Sequence, residues 1–183
     1  NPIPINYDRR VQFNNKLQLY FTGFQRNATD IVSSYVTDLN SKSRQLRLLK
    51  ELVNEGVEIL AGNAPLSDFG SLMHESWLIK KTIGNSISNN EIEIIYQKAL
   101  EAGATGGKLL GAGGGGFMLL SVEEDKKLHV REALKDLILV PFQFDTEGAK
   151  IIYHLPQRAN EGIESRNNDS ALRVFEELDS IVR

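Results

Sequence analysis

Seven of the 15 glycines in this chain fall within Gly106-Gly107-Lys108-Leu109-Leu110-Gly111-Ala112-Gly113-Gly114-Gly115-Gly116-Phe117-Met118-Leu119-Leu120, between two runs with strand character. Glycine tolerates positive φ and lets a backbone come within van der Waals range of a ligand or another loop. A turn this dense in glycine costs conformational entropy that a plain hairpin avoids. Something must therefore approach it closely, and a phosphate cradled by the amides of Gly111, Ala112, Gly113, Gly114, Gly115 and Gly116 is the commonest candidate. The competing reading is a tight hairpin with a bulge.

Three other groups of residues have types and spacings suited to an anionic, polar ligand. Thr22-Gly23-Phe24-Gln25-Arg26-Asn27 runs from a strand end into a helix start, with Asn27 placed as N-cap and Asp30 three residues on. A helix N-terminus beside a guanidinium is an anion site, and Arg26 can grip a phosphate bidentately. Alternatively, Arg26 is a surface residue paired to a carboxylate. His74, Trp77 and Lys81 stand at i, i+3 and i+7, on one helix face that could line a sugar pocket. A core Trp77 with solvated lysines fits the same spacing equally well. Lys108, just before the glycine loop, can reach a phosphate or stand as an exposed strand lysine. His129 and His154 have no partner spacing, and no metal-ligand cluster is visible.

Two familiar phosphate motifs fail on context. Gly111 to Gly116 formally satisfies G-x-G-x-x-G, but the dinucleotide site needs a helix next and an acidic residue about 20 positions on. Here the buried-strand sequence Phe117-Met118-Leu119-Leu120-Ser121-Val122 follows, and position 131 is Arg131. A Walker loop fails because no Gly-Lys-Ser/Thr ends the run. What survives is a strand–glycine loop–strand unit.

The elements that must position these residues read as an α+β layer, a small and mainly antiparallel sheet backed by helices. Residues 1–16 read as irregular, and 17–22 as a strand ended by Gly23. A helical region spans 28–60, with apolar stripes Ile31/Tyr35/Leu39 and Leu46/Leu49/Val53/Val57, broken near Asn40–Ser43. Ser67 is placed to cap a helix running to about Thr82 with Phe69, Leu72, Ile79 and Ile83 on one face. Asn90 and Glu93 resemble a capping box for a third helix that Gly103 ends. Strands flank the glycine loop, a helix covers 123–136, and two last strands cover 138–144 and 149–155, the first with an open edge at Pro141. Residues 1–155 form one domain; 156–183 are a polar tail with an amphipathic stretch at Leu172, Phe175, Leu178 and Val182.

The chain has 183 residues, 41% hydrophobic and 25% charged, enough for a folded core. Its net charge of −3 argues against nucleic acid as a partner. No apolar run reaches membrane-span length, and no signal pattern opens the sequence, so a cytoplasmic setting is expected. The absence of cysteine removes disulfides and thiol chemistry. The opening Asn1-Pro2-Ile3-Pro4, without an initiator methionine, suggests a piece of something longer.

Leu110 to Phe117 resembles the third motif of the GHMP-type small-molecule kinases (galactokinase, homoserine, mevalonate and phosphomevalonate kinases). Tyr20 to Ala28 is similar to the Tyr-Thr-Gly-x-x-Arg-x-Ala segment of the heptose-phosphate and fucose kinase branch, as are His74 to Lys81 and Ile87 to Ile92. The resemblance covers about residues 1–153. It implies a ferredoxin-like C-terminal lobe of a two-lobed enzyme that moves the γ-phosphate of ATP, with Mg²⁺, onto a sugar hydroxyl, in this branch the anomeric hydroxyl of heptose 7-phosphate. The principal phosphate loop and the acidic residue beside the transferred group belong to the other lobe in that family, and neither is found here. By that resemblance this chain alone is half an active site and inactive. Its glycine loop would pack under the missing phosphate loop, with Thr22, Gly23, Arg26, His74, Lys81 and Lys108 toward the sugar phosphate. A fucokinase-type lobe and a non-catalytic ferredoxin-like metabolite-binding module are the rival readings, and a tail linked to a further catalytic domain is a third. If the N-terminal lobe is its partner, one sheet face should be apolar and exposed, and the isolated chain should self-associate or be modestly stable.

Overall fold

A computed structural model describes residues 3–24, 39–145 and 148. The chain divides into two units, Asn1–Phe144 and Asp145–Arg183, and the architecture below is that of the first. Its elements are helix α1 (Tyr7–Asn15), strand β1 (Leu17–Phe21), a 3₁₀ turn at Leu39–Lys42, helices α2 (Ser43–Ala61), α3 (Ser67–Lys81) and α4 (Asn90–Glu101), strands β2 (Ala104–Leu109) and β3 (Phe117–Val122), helix α5 (Lys127–Ala133) and strand β4 (Ile138–Val140). The sheet runs β2-β3-β1-β4, and every neighbouring pair is antiparallel. Strand, helices, hairpin, helix, strand in that chain order, with β1 and β3 central in the sheet, is the ferredoxin-like α+β layer expected from the sequence. Among the described residues no helix is long and apolar enough to cross a membrane.

The strand registers sort the side chains onto two faces. Tyr20 pairs with Met118, which pairs with Leu109, and these buried residues face α4 and α5 through Ile92, Tyr96, Ala99 and Val130. On the other face Leu17 packs with Phe13 of α1 and with Leu66 and Met73. Helix α3 runs along β2 and serves both cores, with Trp77 in the first and Met73 in the second. The approach is so close that a Cβ at Gly106 would collide with the Gly70 carbonyl, so neither helix nor strand tolerates bulk there.

Several local expectations are corrected. Residues 7–15 form a helix where irregular chain was expected: Asn6 Oδ1 caps it by accepting from the Arg9 amide at 2.8 Å. Arg9 in turn donates to the carbonyls of Leu60 (3.0 Å), Ile59 (2.6 Å) and Ala64 (2.6 Å), satisfying the end of α2. Ser67 is the first residue of α3 and not its side-chain cap; the cap position is Leu66. The N-cap of α4 is Asn89, one residue before the expected Asn90, and its Oδ1 accepts from Ile92 N at 2.9 Å. Glu93 instead accepts from Ser88 Oγ at 2.5 Å.

The apolar stripes also differ. Gly70, Met73 and Trp77 are the buried residues of α3, because it lies against the sheet edge, while Phe69 and Leu72 turn toward Gly56 of α2. In α2 the buried positions are Leu52, Gly56 and Ile59. Leu46, Val53 and Val57 of the expected stripe are exposed, and they line an open groove. The stretch 28–38 and the final strand and tail at 149–183 lie outside the described residues.

Candidate functional site

The glycine loop joins β2 to β3 and is held from two sides, by backbone and by side-chain hydrogen bonds. On one side the Gly114 amide donates to Ile87 O at 2.9 Å, and Asn89 Nδ2 donates to Gly114 O at 3.3 Å. On the other the Gly116 amide donates to Phe24 O at 2.7 Å, while Thr22 donates to Gly116 O through both its amide and its Oγ1, each at 2.9 Å. Positive φ occurs at Gly111, Gly113, Gly114 and Gly116. A Cβ at Gly113 would stand 2.6 Å from Ile87 O, and one at Gly115 would stand 2.5 Å from Phe24 O. The close partners that force glycine at these two positions are thus the chain's own carbonyls. Around Gly111 and Gly116 the space is open, and no described acceptor takes the amides of Ala112 and Gly115. That open side is where an anion can meet backbone donors.

Thr22 and Gly23 are therefore brought to the loop: Thr22 is buried against it, and Gly23, at φ +79, turns the chain beside it with free space around its Cα. Arg26 lies outside the described residues. His74 and Lys81 point elsewhere, toward α4. His74 Nδ1 is 2.7 Å from Tyr96 Oη, with the two rings stacked at 5.9 Å, and Lys81 Nζ pairs with Glu93 at 2.6 Å while lying 5.8 Å over the Trp77 ring. Burial raises the Tyr96 phenol well above its ordinary range, so it stays protonated beside His74. Trp77 itself is fully buried in the core, which favours the core reading of Trp77 over the sugar-lining face.

Lys108 sits half-buried on β2, opposite Leu119, and burial lowers its pKa. Its neighbour Lys80 was not singled out by the sequence. Lys80 Nζ donates to Gly111 O at 2.6 Å, fixing the loop's entry to the last turn of α3. Burial first, and the charge of Lys108 second, bring its pKa down to about 8. Lys80 adjoins Lys81 in sequence, and only the helix rotation set by Gly70 against Gly106 decides which of the two meets the loop. Asn89 was also missed, although Ser-Asn-Asn-Glu signals a cap within one residue. No group of three or more His, Asp or Glu able to hold a metal ion exists among the described residues.

The end of the sheet that carries the loop also carries uncovered apolar side chains. Phe117, Phe21 and Ile138 lie in one row across β3, β1 and β4. The rings of Phe21 and Phe117 are 5.3 Å apart, and Phe117 and Ile138 are 41% and 64% exposed. Phe117 directly follows the loop, and Phe21 directly precedes Thr22.

Residues 58–137 match the family described as GHMP kinases C terminal. The chain is 32% identical over 155 residues, 82% of its length, to a D-glycero-alpha-D-manno-heptose 7-phosphate kinase of Campylobacter jejuni. It is 29% identical over 126 residues, 66% of its length, to a bifunctional fucokinase/GDP-fucose pyrophosphorylase of Arabidopsis thaliana. It spans 45% of the first relative and 12% of the second. The Methanococcus jannaschii mevalonate kinase crystal structure shares the fold at a TM-score of 0.61 and 22% identity, over 74% of this chain and 42% of that one. On these matches residues 58–137 belong to the GHMP kinase C-terminal family, and together with β1 and β4 they build the ferredoxin-like layer described above.

Proposed function

We propose that the chain is the C-terminal half of an ATP-dependent sugar-phosphate kinase, acting on the anomeric hydroxyl of heptose 7-phosphate in the cytoplasm. The observation that carries this reading is the juxtaposition of the open side of the glycine loop with the row Phe21, Phe117 and Ile138, of which Phe117 and Ile138 are exposed. A second lobe seated on that row would close over the loop and exclude water from it. The similarity to the heptose 7-phosphate kinase favours the sugar phosphate; that to the fucokinase favours an unphosphorylated sugar as the second reading.

Phosphoryl transfer depends mainly on positioning and charge neutralisation. In this reading the γ-phosphorus–oxygen bond of ATP breaks and a bond to the sugar oxygen forms. ADP leaves, and the hydroxyl proton passes to a base of the other lobe. The residues of this chain supply the floor: loop amides at Gly111–Gly116 toward the phosphates, and Thr22, Gly23 and Arg26 toward the sugar phosphate. His74 and Lys81, tied to Tyr96 and Glu93, brace the wall behind them. Mg²⁺ would enter with ATP. The test is ADP release by the polypeptide carrying both lobes, with D-glycero-D-manno-heptose 7-phosphate and L-fucose offered separately, with and without Mg²⁺. Mg²⁺-dependent turnover on the heptose phosphate is expected. Turnover on fucose alone moves the enzyme to the other branch, and none on either leaves the non-catalytic ferredoxin-like module.

A further inference from the structure

The groove between α2 and α3 combines two properties that the proposed transferase reaction does not use. Its walls are apolar and open: Leu49 and Val53 of α2 border two cavities of about 340 and 320 Å³, and Val53 is 65% exposed. Both cavities also touch Ser76 and Lys108, so they adjoin along one line, and each is of small-molecule size (roughly 300–1,000 Å³). The second property is charge. Lys16, Lys81 and Lys127, the other part-buried lysines in ion pairs, each meet a glutamate. Lys108 meets no described carboxylate, and its charge acts on its neighbour Lys80. Two cations and the Ser76 hydroxyl bordering an apolar groove are complementary to an anionic head group carrying an aliphatic tail.

We infer that the α2–α3 groove binds an apolar-tailed anion, with its phosphate or carboxylate head on Lys108 and Ser76 and its tail along Leu49 and Val53. Lys80 links this site to the glycine loop, because it contacts both the second cavity and Gly111 O. An occupant drawing Lys80 toward its head group would release the entry of the loop.

The test is calorimetric titration of the full chain with n-octyl phosphate below its micelle concentration, beside inorganic phosphate, octanol and octanoate. Binding of octyl phosphate at one per chain, at least tenfold tighter than inorganic phosphate or octanol, is expected, since each buried methylene strengthens binding about fourfold. Octanoate binding comparably would assign a carboxylate head as well; octanoate binding tenfold weaker would restrict the site to phosphate, and both outcomes support it. Lys108→Met and Val53→Glu should each weaken octyl phosphate at least tenfold with circular dichroism unchanged. Octyl phosphate binding no tighter than inorganic phosphate, or binding that both folded variants retain, overturns the inference. This readout is independent of sugar turnover, so the two proposals fail separately.

Discussion

The carbonyl oxygen of Phe24 occupies the position beside Gly115 where a side chain would begin, 2.5 Å from an ideal Cβ. Gly115 has no positive φ, so its glycine requirement is purely one of space. Gly113 combines the same crowding, at Ile87 O, with φ +118. Gly115→Ala should therefore destabilise the chain by about 1–3 kcal/mol through overpacking, and Gly113→Ala by more, since about 1–2 kcal/mol of backbone strain adds to it. Urea midpoints give both numbers. Equal stability of Gly115→Ala and the wild type would mean that the loop is not clasped by Phe24.

Lys80 makes a prediction in pH. Its folded pKa is about 8 against an ordinary 10.5, so below pH 8 the amine is charged in both states and folding bears the full burial penalty. Between pH 8 and 10.5 the unfolded chain binds the extra proton, and stability contributed by this group rises with pH. Above 10.5 the penalty is gone. Denaturant midpoints at pH 7 and 10 should show this gain, and Lys80→Met, which carries no titrating group, should lose it. An identical pH slope in the variant would place Lys80 in solvent.

The antiparallel layer and the glycine loop were legible because their signals are local. Strand alternation, a helix start within one residue of the observed cap at Asn89 and the stop at Gly103 each depend on a few neighbouring residues. What the sequence hid was helix rotation. Phe69, Leu72, Ile79 and Ile83 form a plausible buried face, but the Gly70–Gly106 approach, between positions 36 residues apart, turns α3 so that Met73 and Trp77 go inside. That rotation sends Lys81 to Glu93 and Lys80 to Gly111, and no pattern within the helix encodes it. The helix at Tyr7–Asn15 was missed for a similar reason: its apolar content is low, and its anchors are Phe13 in the core and Arg9 on the end of α2.

Trp77 tests that rotation directly. It is fully buried, and its Nε1 has no hydrogen-bond partner. Trp77→Ala should cost about 3–5 kcal/mol. Trp77→Phe should cost less than half as much, because it removes an indole N–H that burial leaves unpaired while retaining most of the ring. Far-ultraviolet circular dichroism in urea separates the two, as no other tryptophan is present to report. Comparable, small losses in both variants would place Trp77 on the surface.

The row Phe21, Phe117 and Ile138 predicts how the chain behaves alone. Apolar side chains left uncovered beside a rigid loop seek a partner, and without a second lobe the available one is another copy. The isolated chain should self-associate at micromolar concentrations in sedimentation experiments. Ile138→Lys sits at the most exposed position of the row, so it should change stability by no more than about 0.5 kcal/mol. The same change should abolish association and, in the two-lobed polypeptide, lower turnover by loosening the seat of the second lobe. A wild-type chain that stays monomeric at high concentration, with Ile138→Lys indistinguishable from it in both assays, would remove this row as the lobe interface. The glycine loop would then need another explanation for its open side.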